Sequence, residues 1–438
     1  MNKETRAAPA ITDPSQICRA LVGLKDIRVL SYKRSCLVAE LTIEQVAENV
    51  ACPGCGSRTH VKDRRSVSYV DLPFGGVPMR LLWKKHRMGC PNRECGVKSF
   101  TLTDHRISAK GARLTTRAAK WATRQVGTGR SVKEVAKELK CDWGVINKAV
   151  MLYGEALLAA DRRRLGTTEA LGLDETLFVR KGKHKVRSWC TTVADVGNAQ
   201  LIDILATRDY KEVAGWVKSQ PHHFKERIAY GALDLSNTYA AVFSVTLPKA
   251  IQVADRFHVM RLANLALDTV RRRVQNEVLG HRGRRDDPLY RSRKLLVMSA
   301  SRLDDPTAKR LESLLALGDP GGEVALAHGV KEAIADFYGI ASYEEACEHL
   351  DKIIDTISGN SIPEELRKLG RTLRRWFAKI CAYHLAKVTN GPTEGLNNLI
   401  KRVKRVAFGF SNFENYRIRV LLYAGKPNWR VLDSIVVS

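Results

Sequence analysis

Three acidic residues stand in distinct local contexts that could do phosphoryl-transfer chemistry. Asp174 lies in LGLDETLF (171–178), Asp234 in IAYGALDLSN (228–237) and Glu394 in NGPTEGLNN (390–398). The first two each close a short apolar run that reads as a buried strand, and the third follows Gly-Pro, where a helix can begin. Carboxylates at strand ends and at a facing helix start can converge on two divalent cations, Mg²⁺ or Mn²⁺. Held roughly 3.5–4 Å apart, two such ions clamp the attacking and leaving oxygens of a phosphodiester displacement. Taken singly, each acid also fits a plain structural role, as a turn residue, an N-cap or a first-turn dipole residue.

A second constellation is Cys52-Pro-Gly-Cys55 followed by Cys90-Pro-Asn-Arg-Glu-Cys95. Two close cysteine pairs on Gly/Pro turns, separated by strand-like sequence, supply the four thiolates of a tetrahedral Zn²⁺ site. A closed four-thiolate shell leaves no position for substrate, so this zinc is expected to be structural. His60 and His86 stand nearby but are not needed as ligands. The other six cysteines (Cys18, Cys36, Cys141, Cys190, Cys347, Cys381) are scattered, mostly among apolar neighbours, and read as small core residues.

Elements must position these groups. Alternation at 27–32 and 36–43 suggests a small β-hairpin or meander, and strand-like 67–72 and 77–83 lie between the cysteine pairs. From 114 to about 160 the pattern is helical. Within it, 131–150 (SVKEVAKELKCDWGVINKAV) fits two helices with a tight corner, opened by a Ser131–Glu134 capping box. Val135, Ala136, Leu139, Ile146, Ala149 and Val150 would be buried, with Cys141 plugging the corner and Lys140 standing where glycine often permits the turn. That leaves Trp143, Gly144, Asn147 and Lys148 outward, where a recognition helix meets base edges and phosphates.

The run 162–166 reads as a linker. Strands follow at 170–179, 186–194 and 199–205, joined by hairpins at 180–185 and 195–198. Then come helix 209–219, strand 228–235, helix 238–245 and strand 251–254, which together describe an α/β sheet. Residues 257–387 are almost wholly helical in pattern. This helical block separates Glu394 from the sheet carrying the two aspartates, and so reads as an insertion.

The chain has 438 residues, 44% of them hydrophobic, enough for several packed domains. Lys and Arg number 73 against 46 Asp and Glu, a formal charge of +27 that points to a polyanion. A membrane surface is the weaker candidate, because no apolar run approaches spanning length, and the N-terminal residues lack a secretory h-region. We therefore expect a soluble cytoplasmic protein that works at the nucleoid and has double-stranded DNA as its partner.

Together these motifs resemble the DDE transposases of bacterial insertion sequences, specifically the ISL-three family, from about Cys52 to Tyr423. The most specific matches are Leu173-Asp174-Glu175, Leu247-Pro-Lys-Ala250 running into Val253-Ala-Asp255-Arg-Phe-His258, and Asn390-Gly-Pro-Thr-Glu394-Gly. Behind the last come Lys401-Arg402-Val-Lys404-Arg405 and Phe408-Gly-Phe410. The resemblance implies a multidomain α+β chain: a small zinc-binding β module, a helix-turn-helix domain, and a ribonuclease-H-like α/β catalytic domain interrupted by an all-α insertion. The boundaries expected are an N-terminal β-rich segment at 1–50, the zinc module at 51–104 and the helix-turn-helix at 105–165. The catalytic domain would occupy 166–260 and 388–438, around the insertion at 261–387.

The resemblance also implies that Asp174, Asp234 and Glu394 are the metal-binding triad for two Mg²⁺ or Mn²⁺, with Asp255 and His258 as an accessory Asp-x-x-His motif. Asp255 also ends an apolar strand and competes with Asp234; the family pattern, with this motif after the catalytic aspartate, favours Asp234. Glu175 should face the other side of its strand. Lys401, Arg402, Lys404 and Arg405 would hold DNA backbone, joined by Arg417, Arg419, Arg271–Arg273 and Arg282–Arg285. By their charge alone, Lys84, Lys85 and Arg87 beside the zinc module suggest either a further DNA contact or, equally, a solvated face. The implied activity is cleavage at element ends, at terminal inverted repeats, and joining to target DNA by a homodimer or higher oligomer. A catalytically silent DNA-binding regulator and a ribonuclease-H-like nuclease are the competing readings.

Overall fold

The structure, a computed structural model, describes residues 26–181 and 186–437 together with Gln16, Gly23 and Leu24. Cys18 and most of the basic turn expected at 180–185 lie outside the described residues. The chain divides into two units, Met1–Arg162 with Arg402–Ser438, and Arg163–Lys401.

The first unit opens with a five-stranded sheet. Strands β1 (Ile27–Arg34), β2 (Ala39–Gln45), β4 (Val77–Gly89) and β3 (His60–Phe74) lie in that order, with β5 (Ser99–Thr101) added to β4. Period-2 alternation explains the register. Ala39, Leu41 and Ile43 of β2 pair in parallel with Met79, Leu81 and Trp83 of β4, and all six are buried in one small core with Ile27 and Tyr69. The described strands of the expected N-terminal β-rich segment share this sheet with the cysteine-bearing region, because β2 hydrogen-bonds directly to β4. Gly75 and Gly76 join β3 to β4 with φ of 55° and 81°, the doubly left-handed turn that a tight hairpin demands.

Three helices follow: α1 (Thr116–Gly127), α2 (Val132–Glu138) and α3 (Trp143–Ala160). The expected capping box opens α2, with the Ser131 hydroxyl accepting from the Glu134 amide and Glu134 accepting from the Ser131 amide. The corner between α2 and α3 turns at Lys140, whose φ is +44°. Val135, Ala136, Leu139, Ile146, Ala149 and Val150 are buried as their spacing requires.

The second unit carries a mixed sheet in the order β10-β9-β6-β7-β8. Strands β6 (Ala170–Lys181), β7 (Val186–Asp195) and β8 (Gln200–Leu205) form an antiparallel meander. Helices α4 (Tyr210–Ser219) and α5 (His222–Arg227) lead to β9 (Tyr230–Leu233), and α6 (Asn237–Thr246) leads to β10 (Ile251–Ala254). Both of these strands run parallel to β6. A helical array follows: α7 (Arg256–Leu279), α8 (Pro288–Ser292), α9 (Asp305–Gly318), α10 (Glu323–Phe337), α11 (Tyr343–Thr356), α12 (Glu364–Cys381) and α13 (Tyr383–Ala386). Its apolar faces join the sheet in one continuous core that runs from Leu171 and Leu233 to Leu267, Ile334 and Trp376.

Helix α14 (Gly391–Val406) starts in the second unit, and the chain then returns to the first with α15 (Phe413–Ala424) and α16 (Trp429–Ser434). The expected final catalytic segment, 388–438, is thus divided. Ile418, Leu422, Leu432 and Ile435 complete the apolar core of α1–α3. Gly154 on α3 admits that approach, since a Cβ there would lie 2.8 Å from Ile418 Cγ2 and 3.0 Å from Leu422 Cδ1. No helix among the described residues is long and apolar enough to cross a membrane.

Candidate active site and cysteine cluster

Strand register brings three aspartates into a row. Leu173 of β6 pairs with Leu233 of β9, and Leu233 with Ala254 of β10, in parallel. The residue after each of these is an aspartate: Asp174, Asp234 and Asp255. Neighbouring strands lie about 4.8 Å apart, so the three stand side by side at one edge of the sheet. Their partners differ. Asp255 is 3% exposed; its Oδ1 accepts from the Asn390 amide at 2.9 Å, and its Oδ2 lies 2.9 Å from His258 Nδ1. Asp174 Oδ1 accepts from the Glu175 amide at 2.8 Å, and its Oδ2 from Asn397 Nδ2 at 2.8 Å. Asp234 Oδ1 is buried and has no hydrogen-bond partner among the described residues. Glu175 turns to Arg208, 3.1 Å away.

The start of α14 is built onto this edge. Asn390, Thr393 and Asn397 are buried at helical spacing. The Thr393 hydroxyl donates to Asn390 Oδ1 at 2.5 Å, and Asn397 links Asp174 to β7 by accepting from the Thr192 hydroxyl at 3.1 Å. Sequence reasoning missed these three residues, although the signal was in the same stretch: Asn390 and Asn397 lie four residues before and three after Glu394. Glu394 itself is exposed on the first turn of α14. The oxygens of Asp174, Asp234 and Glu394 do not all lie within 4.8 Å of one another; among the described residues only the four cysteines form such a group.

Gly172 makes the close approach possible. A Cβ there would sit 2.5 Å from Val196 Cγ1, 2.8 Å from Asn390 Oδ1 and 2.9 Å from Thr393 Oγ1. Gly172→Ala is therefore expected to lower stability by about 1–3 kcal/mol through overpacking and to shift the start of α14. Thermal denaturation and a DNA strand-transfer assay would measure it. An unchanged melting midpoint with an unchanged rate would mean that the helix start has room to spare.

Electrostatics distinguish the aspartates further. Burial raises the Asp174 carboxyl above its usual range, opposed by the Glu175 amide. Burial, and then the charge of Asp174, push Asp234 up to about 6, against the pull of His258. His258 is raised, first by its hydrogen bond to Asp255. Two crowded, desolvated carboxyls, one with an unpaired buried oxygen, are the setting that a divalent cation relieves. The two aspartates thus fit a metal; with Glu394 they do not form a closed cluster.

The four cysteines do converge. Their Sγ atoms all lie within 4.8 Å of one another, with Cys52 and Cys95 3.8 Å apart and Cys55 and Cys90 3.5 Å apart. A tetrahedral zinc with bonds of about 2.3 Å needs sulfur–sulfur edges of about 3.8 Å, so the cluster fits that ion. The Val97 amide donates to Cys95 Sγ at 3.4 Å. His86 is instead bonded to Glu44, 2.9 Å away.

The expected DNA contacts divide as well. Trp143 and Lys148 are exposed at the start of α3, and Gly144 between them is open. Asn147 does not project outward: its amide donates to Asn415 Oδ1 at 3.1 Å, because α15 packs beside α3. Lys401, Arg402 and Arg405 are exposed along α14, and Lys404 is half-buried. Arg419 does not face solvent but is buried, its guanidinium 4.9 Å from the Phe410 ring. Arg273 is bound among Glu277, Glu323 and Glu365 and so ties α7 to α10 and α12, whereas Arg271 is buried against Asp268 of its own helix. Beside the cysteine cluster, Lys85 stacks over Trp83 at 4.2 Å and Arg87 donates to Ser99.

Residues 171–420 match a family model described as transposase, of the ISL3 (ISL-three) DDE type. Residues 48–105 match a model described as the zinc-finger of transposase IS204/IS1001/IS1096/IS1165. The chain is 25% identical over 388 residues to the transposase for insertion sequence element IS1001 of Bordetella parapertussis, covering 86% of this chain and 89% of that protein. It is 22% identical over 379 residues to the transposase for element IS1557 of Mycobacterium tuberculosis, covering 82% of each. Among solved structures, the Drosophila P element transposase strand transfer complex aligns with 73% of this chain and 94% of that one, at 9% identity and a TM-score of 0.40.

Proposed function

The chain belongs to the ISL3 family of DDE transposases, and on that premise we propose that Asp174, Asp234 and Glu394 cut and join DNA at the ends of an insertion sequence. The observation that carries this reading is the row of aspartates at the sheet edge, in which Asp234 keeps an unpartnered buried oxygen beside Asp174. A meander of three strands followed by two parallel strands supports a ribonuclease-H-like core, with α7–α13 as its insertion.

Bound at Asp174 and Asp234, divalent cations such as Mg²⁺ would activate an attacking oxygen and stabilise the leaving one. The protein's own part is positioning. Asn397 fixes the Asp174 carboxylate against β7, and Asp255 ties the loop before α14 to the sheet through the Asn390 amide. The hydrogen bond to Asp255 raises His258, whose imidazole also interacts electrostatically with the two acids. Glu394 is the third acid, carried on the first turn of that same helix.

DNA recognition falls to the corner between α2 and α3, read as a helix-turn-helix with Trp143 and Lys148 as its exposed contacts. Lys401, Arg402, Lys404 and Arg405 hold the backbone. The cysteine cluster holds a structural zinc. The active species is a homodimer or larger assembly on the terminal inverted repeats and target DNA, at work on the nucleoid.

Asp174→Ala tests this reading in the full-length protein. Strand transfer should fall to background while DNA binding, measured by fluorescence anisotropy, stays unchanged. Excision that persists in the variant would refute the metal mechanism. Wild-type protein that binds DNA without cutting it would be a regulator, and one that cuts without joining would be a nuclease.

A further inference from the structure

Helix α14 ends in a way that its own stability does not explain. The Phe408 amide donates to the Arg405 carbonyl at 3.0 Å and the Gly409 amide to the Lys404 carbonyl at 2.9 Å, the paired bonds of a Schellman stop. That motif needs a left-handed residue at the first position past the cap, a place usually taken by glycine. Here it is phenylalanine, with φ at +56°, and the glycine comes one residue later. A bulky side chain in that conformation is strained. Nothing in the fold offsets the strain, because Phe408 is 96% exposed, more than any other large hydrophobic side chain among the described residues.

Phe410, two residues on, shows what an anchoring aromatic looks like in the same loop. Its ring lies 5.3 Å from that of Tyr416 and 4.9 Å from the Arg419 guanidinium. Phe408 is held out while its neighbour is held in. Its surroundings also define the partner. Lys401, Arg402 and Arg405 are exposed on the last turns of α14, which lead to the ring, and no acid stands between Lys401 and Phe413. Along the chain the ring stands between Ala407 and Gly409, with Phe410 turned in against Tyr416 and Ser411 and Asn412 beyond. An exposed aromatic ring that follows exposed cations along the chain matches a nucleic-acid base with its phosphates.

We propose that Phe408 is a DNA wedge: its ring inserts at a base step and stacks on the unstacked base while Arg402 and Arg405 hold the adjoining phosphates. The strain orients the ring before DNA arrives, so that little freedom is lost on insertion. This inference rests on the transposase reading, and the experiment separates the two.

The test uses the full chain and a DNA duplex carrying 2-aminopurine beside its end, whose emission rises when the base leaves the stack. Wild-type protein should brighten the probe on binding. Phe408→Gly, which suits the left-handed position and leaves the helix stop intact, should melt no lower than wild type. It should nevertheless lose the brightening and bind about ten-fold or more weakly. Phe408→Trp should restore both. Equal brightening and equal affinity in the glycine variant would overturn the wedge while leaving the transposase reading in place. Wild-type protein that fails to bind the duplex at all would remove both readings. A glycine variant that loses a DNA-independent dimer, with DNA distortion unchanged, would assign the ring to contact between chains and overturn the proposal.

Discussion

Asp234→Asn is expected to cut strand transfer by about a thousand-fold or more, and Asp255→Asn by only about 10- to 100-fold. The first estimate assumes loss of a metal-ligand charge worth several kcal/mol in the transition state, at about 1.4 kcal/mol per factor of ten. The second assumes that Asp255 acts through others, on the scale of an outer-shell partner. The structural basis is the difference in what the two carboxylates already hold. Both Asp255 oxygens are engaged, one by the Asn390 amide and one by His258, whereas Asp234 has a buried oxygen with no partner.

The same pair should differ in Mn²⁺ binding, followed by calorimetry. Asp234→Asn should weaken it severely, and Asp255→Asn should leave it measurable. In metal-free protein Asp234 also links stability to pH. Its folded-state value lies near 6, above the ordinary 3.8, so its contribution is full below 3.8 and is lost as pH rises through about 6. The asparagine variant should lack that decline in a denaturation series. If Asp255→Asn were inactive and Asp234→Asn retained wild-type rates, the two roles would have to be exchanged.

Removal of zinc is the second large effect. In small zinc-finger peptides the bound ion supplies roughly 10–16 kcal/mol of folding free energy, far more than any single apolar contact. Here the consequence should be local. The sheet has its own core around Leu41, Leu81 and Trp83, which does not depend on the thiolates. Besides the cluster, the two knuckles are held by turn hydrogen bonds, such as those from the Cys52 amide to the Ser57 carbonyl and from the Cys90 amide to the Lys98 carbonyl, and by close packing at Gly54, where a Cβ would lie 2.9 Å from Val97 Cγ2 and 3.0 Å from Cys95 Sγ.

Purified protein should therefore contain one zinc per chain by elemental analysis. Chelation, or Cys52→Ser, should open protease cleavage within 51–59 and 90–98 while leaving α1–α3 and the second unit protected. Protein that carries no zinc, or an unchanged cleavage pattern after chelation, would defeat the assignment.

Much of this architecture is legible locally. The apolar runs before Asp174 and Asp234 become neighbouring strands because a short continuous apolar run reports a strand buried on both faces. The capping box at Ser131 and the start of α14 at Gly391 are local chemistry, so residues a few positions apart suffice to announce them. The paired cysteines are equally local, with each knuckle's turn written beside its thiols.

Tertiary structure alone decided which of these residues are available. Asp234 and Asp255 have the same local signature, an aspartate ending an apolar strand. They are told apart by Asn390, a residue distant in sequence whose amide reaches only one of them. Asn147 looked outward until α15 brought Asn415 against it, and Arg419 looked basic and free until it was buried over Phe410. Residues 402–438 joined the core of α1–α3 because an amphipathic helix advertises that it has an apolar face, and not which face will cover it. Sequence periodicity thus determined the elements and the chemistry at their ends. The long-range contacts determined which carboxylate kept a free oxygen and which aromatic was left to meet a partner.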